Sequence, residues 1–148
     1  MQQQINIKNK KAYFDFDILE KHIAGVQLTG TEIKSIRQGK ARLVDSYCYF
    51  DKNEVWLKGM HITPYESGGY INHEPKRDRK LLLKRKELAK LEKKFHEKGL
   101  TIVALRLFIN DRGIAKVEIG LAKGRQKHDK REYIKERDMK REMKNIKP

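Results

Sequence analysis

One cysteine, one tryptophan and three prolines are present in 148 residues, and no apolar run is long. Each scarcity closes a class. The lone Cys48 cannot form an intrachain disulfide or, by itself, a thiolate zinc site. It lies in the strand-like run "DSYCYF", which reads as a buried, inert thiol in a reducing cytoplasm. A bilayer span needs about 20 consecutive apolar residues, and nothing here approaches that, so no membrane association is expected. The opening "MQQQINIKNKK" lacks an apolar centre and a small-residue cleavage site, so it does not read as a secretory signal. G-x-x-x-x-G-K-[ST], G-x-G-x-x-G and H-E-x-x-H are all missing, and "GKARLVDS" is not a phosphate loop. His22, His61, His73, His96 and His128 show no zinc spacing. No metal, cofactor or catalytic residue is therefore expected.

What the chain has in excess is positive charge. Lys and Arg number 35 against 20 Asp and Glu, a formal net charge of +15. Such a charge repels itself in the folded state, and a polyanion relieves it, nucleic acid first among the candidates. The apolar residues cluster between Tyr13 and Ala122, which suits one domain and an appendage: 1–122 as the folded part and 123–148 as a basic tail.

Within the first part, "AYFDFDIL" alternates, with Phe14, Phe16 and Ile18 on one face, and predicts a strand. "EKHIAG" reads as a break before a second strand at "VQL". Thr31 is expected to cap a short helix that carries Ile33 and Ile36 and ends at Gly39. "SYCYF" and "VWLKGMHI" read as strands around the tight turn "DKNE", and Thr63–Asp78 as a loop holding two of the three prolines. "RKLLLKRKELAKLEKKFHEKG" reads as a helix whose Leu88, Leu91 and Phe95 share a face, ended by Gly99. "LTIVALRLFI" and "IAKVEIGLA" read as strands around the hairpin turn "NDRG". About six antiparallel strands with few edges favour a mainly β fold, an OB-like closed barrel with flanking short helices.

The tail "LAKGRQKHDKREYIKERDMKREMKNIKP" is a different material. From Lys123 to Pro148 it holds 11 Lys/Arg and 5 Asp/Glu, with few residues able to fill a core. Its helix formers carry i,i+4 charge partners, but the apolar area is too small to hold a helix against water. It is expected to be disordered when free and to fold along an RNA groove; a merely solubilising tail is the plainer alternative. Lys34, Arg37, Lys40 and Arg42, around the first helix, suit either phosphates or a solvated face. Glu32 suits either a helix cap or an acceptor from base amino groups. Tyr65 and Tyr70, in the long loop, could stack on unpaired bases.

Taken in order, "TGTEIKSIRQGKARLVDSY", "EVWLKGMHITPY", "RKLLLKRKEL", "GLTIVALRL" and "KVEIGLAKGRQKHDKREYIKERDMKRE" resemble the small protein B (SmpB) family of SsrA-binding proteins, over about Lys8 to Met143. The resemblance implies a non-catalytic RNA-binding adaptor with an OB-like barrel and an extended C-terminal tail. It implies binding to the tRNA-like domain of transfer-messenger RNA and delivery of that RNA to stalled ribosomes for trans-translation. Elongation factor Tu and alanyl-tRNA synthetase would be partners only through the RNA. The positions it nominates for the RNA are His22, in the first loop, with Glu32, Lys34, Lys40, Lys116, Lys123, Gly124 and Arg125. For the ribosomal decoding centre, its 16S rRNA and the empty mRNA channel it nominates His128, Asp129, Lys130, Arg131, Ile134 and Lys135. Gln126 stands where the family often keeps a second lysine, and Met139 where it often has tryptophan, so no stacking role follows there. A generic OB-fold binder of single strands is the alternative within the same class. A ribonuclease using His22 or His61 is the alternative outside it.

Overall fold

A computed structural model of the chain describes residues 4–97 and 99–145, with the backbone alone for 127–129 and 142–145. In chain order the elements are β1 (Asn6–Lys8), α1 (Lys10–Asp15), β2 (Phe16–Val26), α2 (Gly30–Arg37), β3 (Ala41–Arg42), β4 (Tyr47–Asp51), β5 (Glu54–Lys58) and β6 (His61–Ile62), followed by β7 (Arg79–Leu82), α3 (Arg85–Phe95), β8 (Leu100–Ile109), β9 (Ala115–Gly124) and α4 (Lys127–Asn145). A 3-10 turn, Glu66–Gly68, lies between β6 and β7. Six strands close a ring in the order β8, β4, β5, β7, β2, β9 and back to β8, every pair antiparallel. β1 extends the free edge of β8 beyond β4, and β3 pairs with β6 as a separate two-stranded ladder.

The expected barrel of about six strands forms, but by a different route. The two runs read as separate strands merge into β2, which passes straight through "EKHIAG" and leaves His22 in a strand rather than a loop. Tyr13, Phe14 and Asp15 belong instead to α1, whose start is capped by Asn9 accepting from the Ala12 N–H at 3.3 Å. The missing sixth strand is β7, taken from the front of the run read as a helix. "RKLLLK" has no helical or strand period of its own, and its pairing with both β5 and β2 decides its state.

β2 serves two cores because it carries a bulge. The register against β9 shifts between Ile18 and Glu20, which turns the side chains that follow to the other face. Before the bulge, Phe16 and Ile18 pack with Tyr13 against Ala12, Val103, Leu105 and Ala122 under α1. After it, Ala24 joins Val117, Ile119 and Leu121 in the barrel interior. At Gly120 a Cβ would lie 2.9 Å from Leu105 Cδ1 and 3.0 Å from Ile18 Cγ2, so the outer cluster closes over a residue without a side chain.

Helix α3 turns Leu91 into the interior, with Leu88 and Phe95 packed against it, and the Phe95 ring sits 5.0 Å from that of Phe50. The turn between β4 and β5 has positive φ at both Lys52 and Asn53, which matches the twist of a two-residue hairpin. Cys48 is buried in β4, and burial pushes its thiol above the ordinary value, as an inert core residue requires.

Candidate nucleic-acid interface

Helix α2 starts with a capping box: Thr29 Oγ1 accepts from the Glu32 N–H at 3.4 Å, and Glu32 Oε1 accepts from the Thr29 N–H at 2.8 Å. Thr29 takes the role expected of Thr31. Thr31 Oγ1 instead lies 2.9 Å from Nδ1 of the buried His73, whose Nε2 is 2.8 Å from the Ile62 carbonyl. The Glu32 carboxylate is fully buried and also accepts from Arg79 Nε at 2.6 Å and Arg77 Nη2 at 2.7 Å. Arg79, equally buried, donates Nη1 to the Met60 carbonyl at 2.6 Å. Burial alone would raise the Glu32 pKa. The Arg77 hydrogen bond, the Thr29 N–H and the Arg79 guanidinium outweigh it and hold the carboxyl below its ordinary 4.5. Nothing of this carboxylate is left for a base amino group, so Glu32 is corrected here from a reader of RNA to a residue that positions α2.

The outer side of α2 remains open. Lys34 is exposed, with Nζ 5.4 Å from the centre of the Tyr65 ring. Gly39, at φ +74°, turns the chain so that Lys40 Nζ meets Glu66 at 3.0 Å. Arg37 and Arg42 are exposed beside them.

A second basic group sits where β9 ends. Lys123 lies opposite Asp17 and is exposed; Gly124 lies opposite Phe16. Arg125 locks the exit of the chain: its N–H donates to the Asp15 carbonyl at 2.8 Å and its Nε to the Phe16 carbonyl at 3.2 Å, while Nη2 reaches Asp17 at 3.2 Å. The Arg125 guanidinium also lies 4.4 Å from the Tyr133 ring centre, and the Phe14 and Tyr133 rings are 6.4 Å apart. Lys130 Nζ pairs with Asp15 at 3.3 Å and lies 5.5 Å from the Phe14 ring centre. The start of α4 is thus strapped to α1 by aromatic and cationic contacts.

Comparison with known proteins fits this geometry. The sequence model of the SmpB protein family matches residues 6–147. The chain belongs to the SmpB family. Among curated relatives, an SsrA-binding protein of Phocaeicola vulgatus is 58% identical over 94% of this chain and 93% of its own length. Those of Bacteroides thetaiotaomicron and Carboxydothermus hydrogenoformans are 55% and 50% identical, over 96% and 95% of this chain and 95% and 94% of theirs. A solved chain described as "tmRNA-SmpB: a journey to the center of the bacterial ribosome" superposes with a TM-score of 0.71 at 43% identity, covering 88% of this chain and 94% of that one.

In this SmpB chain the nominated barrel residues fall into two groups rather than one. Lys34 lies on α2, Lys40 just after it and Lys116 opposite Gly25, whereas Lys123, Gly124 and Arg125 lie at the other end of β2. Ten residue steps of β2 separate the ends, roughly 33 Å at about 3.3 Å per residue. His22 lies between them on β2, largely buried, with its ring nitrogens 3.1 Å from Glu20 and 3.5 Å from Glu87 of α3. Along α4, Arg131 and Lys135 are exposed and Ile134 is half-buried, while the side chains of His128 and Asp129 lie outside the described residues. The strap residues Phe14, Asp15, Asp17 and Tyr133 were not foreseen as a group; the signal was the aromatic–acid alternation of "YFDFD", read as strand faces. Among the described residues no cluster could hold a metal ion, and no helix is long and apolar enough to cross a membrane.

Proposed function

We propose that this chain is a non-catalytic RNA-binding adaptor of ribosome rescue, which binds the tRNA-like domain of transfer-messenger RNA and brings it to stalled ribosomes for trans-translation. One observation carries the reading: in a member of the SmpB family, a closed barrel holds a 19-residue basic helix through Lys130 and Tyr133 near its start, while Lys135 to Arg141 are exposed. The relatives are named for SsrA binding, and the solved neighbour for transfer-messenger RNA and the ribosome. In this reading the barrel, 1–122, meets the RNA through Lys34, Lys40 and Lys116, joined by Lys123 and Gly124 at the end of β9 and Arg125 just beyond it, with His22 and Glu32 supporting from beneath. The tail, 123–148, enters the decoding centre and mRNA channel through His128, Asp129, Lys130, Arg131, Ile134 and Lys135. Elongation factor Tu and alanyl-tRNA synthetase act through the RNA, and the site of action is the cytoplasm.

The test compares the full chain with a form ending at Gln126, since β9 runs to Gly124 and Arg125 closes onto β2. Binding to the tRNA-like domain is measured across a salt series with ordinary tRNA as competitor. Both forms are expected to bind, to resist the competitor and to hold at high salt, while only the full chain supports tagging on stalled ribosomes. Binding that needs the tail and collapses steeply with salt is what bare polyelectrolyte attraction would give, and it would overturn the assignment.

A further inference from the structure

We propose that the loop tip Tyr70–Ile71 is a stacking anchor for an unpaired base of the transfer-messenger RNA. The inference rests on the function proposed above and extends its interface beyond α2. Tyr70 is fully exposed, at 103% of its reference area, and Ile71 is 83% exposed. No other large apolar side chain among the described residues stands so far out of the surface.

The tip is presented by a built frame. Asn72 Oδ1 accepts from the backbone N–H groups of Tyr65 and His73, both at 3.1 Å, and its Nδ2 donates to the Tyr65 carbonyl at 2.8 Å. One side chain therefore staples both feet of the loop. A Cβ at Gly68 would fall 2.7 Å from that same Nδ2, so the staple depends on glycine there. Below it, His73 is tied to Thr31 at the start of α2 and to the Ile62 carbonyl of β6. The frame fixes the feet of the loop, so less backbone has to be ordered when the tip meets a base, which lowers the entropic cost of binding.

The occupant follows from the surroundings. The foot of the loop is already part of the α2 surface, since Lys34 Nζ lies 5.4 Å from the Tyr65 ring centre and Lys40 pairs with Glu66. Lys34 of α2 and Lys76 of the same loop are exposed, in a chain of net charge +15. A π-face standing among cations suits a single-stranded nucleotide, with the base on the ring and the phosphate on a lysine. An acidic or apolar peptide would use the charge or the tyrosine but not the two together.

The experiment measures binding of the tRNA-like domain transcript to the full chain and to Tyr70→Ala, Tyr70→Leu, Tyr70→Phe and Asn72→Ala, with thermal unfolding as the check on folding. Loss of one stacked base predicts roughly ten- to hundredfold weaker binding for Tyr70→Ala and Tyr70→Leu, with Tyr70→Phe within about threefold of the parent. Asn72→Ala is expected to fall between, because it frees the frame and leaves the ring. Equal binding by the parent and Tyr70→Ala overturns the anchor and leaves the function standing, even if Tyr70→Ala then fails in tagging, because that result assigns the tip to the ribosome. Failure of the parent to bind selectively overturns both.

Discussion

The Glu32 carboxylate shows how one buried charge is kept ionised. It receives the Thr29 N–H and two guanidinium groups, and Arg79 beside it has no exposure and finds its other partners in backbone carbonyls. Removing the charge from such a group leaves its arginine unpaired in the interior, which typically costs about 3–5 kcal/mol. Glu32→Gln is expected to lose stability of that order in urea unfolding at neutral pH. The pH dependence has a definite sign. The folded pKa lies below the ordinary 4.5, so the contribution is present above that value and is lost as pH falls through the folded pKa. Unfolding curves recorded downward from pH 6 should show the parent weakening below about 4.5, with the Glu32→Gln variant missing that part of the decline. Parallel curves for the two proteins would mean that the carboxylate is not ionised in the native state.

At the scale of elements, α4 is two things in succession. Its first turns hold Lys130 and Tyr133 against Phe14 and Asp15 of α1, with Arg125 closing the exit of β9, whereas residues from Lys135 to Arg141 are exposed. Composition alone argues for a tail without structure until it meets RNA; the structure draws it as a helix, and the strap supplies the docking that composition does not show. Most helical stability in proteins comes from tertiary packing rather than from propensity, so a few tertiary contacts at one end weigh heavily in the helix content of α4. Tyr133→Ala removes both the ring pair and the cation–π contact, the latter alone worth about 0.5–1 kcal/mol at an exposed site. Amide exchange across 127–145 is expected to quicken several-fold and helical dichroism to drop, with the barrel's unfolding midpoint unmoved. A fall in that midpoint equal to the loss of helix would show the tail to be part of the barrel's own stability.

For the whole molecule, charge and closure pull in opposite directions. The ring of strands leaves few open edges, while a net charge of +15 on 148 residues repels itself. Pairs such as Lys94–Glu20 at 2.7 Å and Lys80–Glu54 at 2.9 Å answer part of the excess, but Asp and Glu are too few to answer all of it. Added salt screens the remainder over a Debye length of about 10 Å at 0.1 M. The free protein's Tm is therefore expected to rise by a few degrees between low and moderate sodium chloride. A flat or falling Tm would show that the ion pairs outweigh the net repulsion.

Much of this was legible in the residues, and what was not shares one cause. The turns "DKNE" and "NDRG", the loop over Thr63–Asp78, the apolar face of Leu88, Leu91 and Phe95 and the buried cysteine all follow from local chemistry or from composition. β2 reads as two strands, yet pairing with β9 carries it through a bulge as one; "RKLL" reads as the start of a helix, yet β5 and β2 claim it as β7. Glu32 reads as a cap and is one, but whether its second oxygen faces RNA or arginine depends on residues 45 and 47 positions away. The separation of the basic residues into two groups likewise depends on strand register. Period, turn type and charge are properties of neighbours in sequence, and the sequence by itself determines them. Pairing partner, burial and which charges meet depend on closing a ring of distant strands, and only the tertiary structure decides them.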